Sequence, residues 1–126
     1  VRAPDTVHED FAALVELYGE KPIHMFQLGY ASSELLNSSE EVQAQFIREV
    51  FAVWDAYTGQ IIFIKFTWMP DISPEAVAFN EDYYGFASET FAAFLGTLGL
   101  RTYTGEDKLA WIALGEEAQA RGWGIA

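Results

Sequence analysis

The sequence predicts an α/β domain, residues 1–126, in which two or three parallel strands carry helices on their outer side. Two short apolar runs read as buried strands: Ile23 to Leu28, and Ile61 to Trp68, which is rich in β-branched and aromatic residues. Each follows a stretch with apolar residues at helical spacing, and Gly19 and Gly59 close those stretches. The order helix, strand, helix, strand implies a right-handed crossover and parallel pairing of the two runs.

The first helix begins at Thr6-x-x-Glu9, which has the form of a capping box, and places Val7, Phe11, Leu14, Val15 and Tyr18 on one face. Lys21-Pro22 and Gly29 frame the first strand. Asn37-Ser38-Ser39 is formally a glycosylation sequon, but its place before an apolar helix makes it a capping loop. Ser38-x-x-Glu41 reads as the second capping box. Behind it Val42, Phe46, Ile47, Val50, Val53, Trp54 and Tyr57 form a wide apolar stripe over Ser39 to Tyr57. The segment Pro70 to Phe86 is a long connection of the kind that carries function or a helix of its own, with Ser73-Pro74-Glu75 a possible start. Ser88 caps a segment that sets Phe91, Phe94, Leu95 and Leu98 on one side. A last helix spans Asp107 to Arg121, with Leu109, Ile112 and Ala113 facing inward.

The composition excludes several classes of function. The net charge is −12, with only seven Lys or Arg scattered along the chain, which argues against nucleic acid as a partner. No apolar run approaches the roughly 20 residues that cross a bilayer, so no membrane span is expected and the chain reads as soluble. The first residues lack the basic and apolar regions of a secretory leader, and the compartment stays open between cytoplasm and exterior. The sequence has no cysteine, so disulfides, thiolate catalysis and cysteine metal sites are excluded. His8 and His24 stand too far apart, with no carboxylate at ligand spacing, to form a metal pair. No phosphate-binding glycine loop is present, and no cofactor is expected.

Two stretches bear a likeness to a known family. Pro22-Ile23-His24-Met25-Phe26-Gln27-Leu28-Gly29-Tyr30-Ala31-Ser32-Ser33 is similar to the seventh barrel strand of clan-A glycoside hydrolases, whose catalytic domains are (β/α)8 barrels. Leu98 to Trp111, with Lys108-Leu109-Ala110-Trp111 at its end, resembles the turn and outer helix that close such barrels. The resemblance implies a partial (β/α)8 barrel, with Ile61 to Trp68 as strand eight and Trp68 at the place of a sugar-stacking aromatic. Two departures stand against full activity. Only two or three of eight strand–helix units are present, and Gln27 occupies the position where the family has its nucleophilic carboxylate. The family's acid/base lies on strand four, which this sequence does not contain.

A retaining glycosidase needs two carboxyl groups about 5–5.5 Å apart, and an amide can neither form the glycosyl ester nor stabilise an oxocarbenium ion. Glu34 and Asp71 lie just beyond the strand ends and are the nearest carboxylates, although solvated loop charges are the plainer expectation for both. The candidate ligand-binding residues are Gln27, Tyr30, Glu34, Trp68, Asp71 and Tyr83, and no catalytic residue is expected. Gln27 reads equally as a buried amide satisfied by backbone, and Trp68 as a core or interface residue. Lys65, a charge in mid-strand, must either meet a carboxylate or face water.

A two-stranded sheet with helices on one side leaves its other face and both edges uncovered, which invites association. The expected protein is therefore a homo-oligomer, a dimer or larger, acting as a non-catalytic binding or scaffold module with a weak carbohydrate ligand. The alternative is a carbohydrate-active glycoside hydrolase completed by another chain or by self-association. An unrelated small α/β binding protein is the third expectation.

Overall fold

The computed structural model describes residues Val1–Gly124. Its elements run α1 (Val7–Tyr18), β1 (Ile23–Leu28), α2 (Glu40–Ala56), β2 (Ile61–Phe66), α3 (Pro74–Tyr84), α4 (Glu89–Leu95) and α5 (Leu109–Ala120), with short 3-10 turns at Pro4–Thr6 and Glu34–Leu36. β1 and β2 pair in parallel, Ile23 opposite Ile61 and Leu28 opposite Phe66, and α2 makes the crossover between them. The strand pairing expected from the two apolar runs is therefore present, in a mixed α/β fold whose sheet has two strands. Beyond the sheet, Arg101 makes single bridges, parallel to Pro70 and antiparallel to Asp107. Among the described residues no helix is long and apolar enough to cross a membrane.

One face of the sheet is covered. Val7 and Phe11 of α1, Phe46, Ile47, Val50 and Phe51 of α2, Ile61 of β2, and Ala110 and Ala113 of α5 form the core. The alanines let α5 approach α2 closely, and Glu40 at the start of α2 accepts a hydrogen bond from Leu109 N (3.1 Å), capping α5 from the neighbouring helix. The other face is open: His24, Phe26, Phe63 and Lys65 are all exposed on it. The two runs are thus half-buried strands, where full burial was expected. Phe26 and Phe63 meet there with ring centroids 5.5 Å apart, and Lys65 faces water.

Local chemistry explains the other departures from the sequence reading. Thr6 donates its hydroxyl to Ala3 O (2.7 Å) and caps nothing, because a 3-10 turn starts ahead of the helix. The cap of α2 is Ser39, whose Oγ accepts from Val42 N, whereas Ser38 is buried one residue upstream. Asn37 takes the left-handed conformation (φ 54°) that turns the chain into this cap. Ser73 and Ser88 do cap α3 and α4, so Pro70 to Phe86 holds a full helix. The last helix is shorter than Asp107 to Arg121, and Leu109 and Ile112 are 39% and 46% exposed. Ala113 is buried as expected, and Ala110 and the preceding Lys108 take the inward positions in place of Leu109 and Ile112.

Candidate functional site

The C-terminal ends of β1 and β2 open into a cleft of about 330 Å³ between the sheet and the α3–α4 pair. Gln27 and Trp68 line it, with Thr67, Asn80, Tyr84 and Phe94 among their neighbours. Parallel strands place their carboxyl ends together, and open α/β sheets bind ligands at that end. Gly29 belongs to the same cleft because nothing larger fits: a Cβ there would lie 2.3 Å from Thr67 Oγ1 and 3.3 Å from Leu98. The lining presents amides, hydroxyls and aromatic rings, and no acid or base among Asp, Glu, His, Lys and Arg.

The structure brings Gln27 and Trp68 together in this cleft and places the other four candidate residues outside it. Gln27 is exposed, so it is not the amide buried at a strand end that one reading expected. Trp68 is half-buried at the cleft wall. Tyr83 points away at 73% exposure and stacks on Phe79, and its neighbour Tyr84 takes the place in the cleft. Tyr30 is tied down: its hydroxyl donates to Arg2 O, its ring stacks on Phe46 at 4.8 Å, and burial raises its phenol above the ordinary range. Glu34 sits exposed in the 3-10 turn before α2, outside the cleft.

Asp71 differs from both expectations for it. It is neither a solvated loop charge nor a free carboxylate. Its side chain is 11% exposed and receives Lys108 Nζ at 3.2 Å and Gly99 N at 2.8 Å. Lys108, 3% exposed, also donates to Gly99 O at 2.8 Å and Thr97 O at 3.3 Å. Burial pushes the Asp71 carboxyl above its ordinary value, against the pull of Lys108 and of the Gly99 amide. Gln43 of α2 completes this hub, its Nε2 donating to Tyr30 O (2.7 Å), Gly99 O (3.1 Å) and Thr97 O (3.3 Å). Gly99 is required at the centre, since a Cβ would come within 2.1 Å of Asp71 N. This network joins β1's exit, the loop after β2 and the start of α5.

A second groove, about 500 Å³ and mostly apolar, runs along the free edge of β1 between Met25–Ala31 and the start of α1. Among the described residues no group of three His, Cys, Asp or Glu side chains could hold a metal ion. No family model matches the chain, and neither characterised proteins nor solved structures give a significant match.

Proposed function

We propose that the chain is a non-catalytic, glycosidase-like partial (β/α)8-barrel protein, acting in assembled form as a binding or scaffold module. The observation that carries this reading is the uncharged lining of the strand-end cleft, where Gln27 and Trp68 converge without a carboxylate. Glycoside hydrolysis by the retaining route requires two carboxyl groups at that end. Asp71, the nearest acid in sequence to Trp68, is held by Lys108 and Gly99. Amides, hydroxyls and an indole face are the groups that recognise a neutral polyhydroxylated ligand, by hydrogen bonds and stacking. Support for assembly comes from the open sheet face, where Phe26 is 62% and Phe63 42% exposed. Two measurements on the purified chain test the reading. Sedimentation velocity is expected to show a species larger than one chain, and aryl glycosides are expected to stay intact. A compact monomer would sink the assembly half of the reading, and turnover would sink the non-catalytic half.

A further inference from the structure

We propose that the open sheet face and the outer face of α3 are the two halves of one contact, so that each copy of the chain seats its α3 on the sheet of another. The inference rests on the assembly reading above and names its surfaces. Parallel sheets are normally covered on both faces by helices. Here α1, α2 and α5 cover one face, and none of the described residues covers the other.

Charge identifies the cover. Of the seven Lys and Arg residues, Arg2, Arg48, Arg101, Lys108 and Arg121 each have a carboxylate partner. Lys21, in the turn before β1, and Lys65, in β2, have none among the described residues, although the chain carries an excess of acid; of the two, only Lys65 lies in the sheet. It stands exposed beside Phe63, on two strands whose sequences contain no Asp or Glu. The segment from Phe66 to Leu100 is the converse, with Asp71, Glu75, Glu81, Asp82 and Glu89 and no Lys, Arg or His. Within it, Glu75, Phe79, Asp82 and Tyr83 are all exposed and recur at the spacing of one helix face. Phe79 is 69% exposed and stacks on Tyr83 at 6.5 Å. One surface is thus aromatic with an unpaired cation, and the other is aromatic with unpaired carboxylates. Their lengths agree too: the 11 residues of α3 span about 16 Å, and a six-residue strand about 20 Å. Phe79 and Tyr83 meet Phe26 and Phe63, and Asp82 meets Lys65.

Sedimentation velocity of the full chain, the variants Lys65→Glu and Asp82→Lys, and their equimolar mixture tests this. Both substituted side chains are exposed on regular elements, and circular dichroism checks that each variant folds. Each variant alone brings like charges together and is expected to associate on the order of tenfold to a hundredfold more weakly. The mixture is expected to recover the assembly, because every contact between unlike copies pairs a cation with a carboxylate. A monomeric wild type would overturn both this contact and the assembly reading. An assembled wild type that neither substitution weakens would overturn the contact alone, as would two weakened variants that fail to rescue each other.

Discussion

Lys108 Nζ lies 3.2 Å from Oδ1 of Asp71 across 37 residues of chain, and both side chains are nearly out of water. An ammonium in that position is tolerable only with a partner, because desolvation of an unpaired charge costs several kcal/mol. Asp71→Ala is therefore expected to destabilise the fold by about 3–5 kcal/mol, since it takes the acceptor away from both Lys108 Nζ and the Gly99 amide and leaves a gap in their place. Lys108→Met should cost a comparable amount by leaving the carboxylate behind. The double variant removes both charges and should be markedly less damaged than the sum of the singles. Urea unfolding of the four proteins measures this coupling, and additive losses would contradict it.

The same pair gives a pH dependence with a definite sign. Burial raises the Asp71 carboxyl above its ordinary 3.8 in the folded state. Between that ordinary value and the raised one, the folded chain holds more protons at this site than the unfolded chain. The contribution of Asp71 to stability therefore falls as pH rises through that window. Carboxyl chemical shifts followed by NMR should show Asp71 titrating later than exposed aspartates. A midpoint below the ordinary value would show that Lys108 and Gly99 outweigh burial.

The parallel strand pair was legible because its signals are local. Two apolar runs, the helix between them and the stops at Gly19 and Gly59 all sit in neighbouring stretches of sequence. The hub was not legible, because its members are far apart in sequence. Lys108 looked like part of the first turn of an outer helix, and Asp71 like a loop charge. Gln43 did leave a trace: with Phe46, Ile47 and Val50 it completes an i, i+3, i+4, i+7 stripe, which marks an amide on the buried side. The face of α5 was read correctly only at Ala113, since Leu109 to Leu114 is apolar throughout and offers no polar side for comparison. Gln27 and Trp68 were named from the resemblance, and they line one cleft because parallel strands gather their carboxyl ends. Asn80 and Tyr84 were not named, because the path of α3 over that end is a tertiary fact.

Gln43 is 1% exposed, and its Nε2 satisfies carbonyls from two separate segments. Lys108 also serves Gly99 O, but Tyr30 O receives its 2.7 Å bond from Gln43. Gln43→Leu should therefore cost about 1–3 kcal/mol, the usual penalty for a buried acceptor left unsatisfied. Gln43→Glu should cost more, and increasingly so as pH rises and a carboxylate forms opposite those carbonyls. Thermal unfolding at several pH values separates the two variants. A Glu variant as stable as the Leu variant at neutral pH would show that the carbonyls had turned away.

The cleft should bind without reacting, and Gln27 tests both halves of that statement. An amide at this position can donate to and accept from a sugar hydroxyl, while Trp68 offers a ring face at the same cleft. The site is small and open to solvent, so a neutral monosaccharide is expected to bind with a dissociation constant on the order of 1 mM, about −4 kcal/mol. Trp68→Ala should weaken that binding several-fold, read from NMR shifts in Gly29 and Thr67. Gln27→Glu supplies one carboxylate where hydrolysis needs two, and the remaining lining offers no acid within the cleft to serve as its partner. The variant is therefore expected to leave aryl glycosides intact across the acidic and neutral range. Turnover by Gln27→Glu alone would mean that a second carboxyl group reaches the cleft. Glu34 is the first to examine, since Asp71 is held by Lys108 and Gly99. Loss of that turnover in Gln27→Glu/Glu34→Gln would identify it.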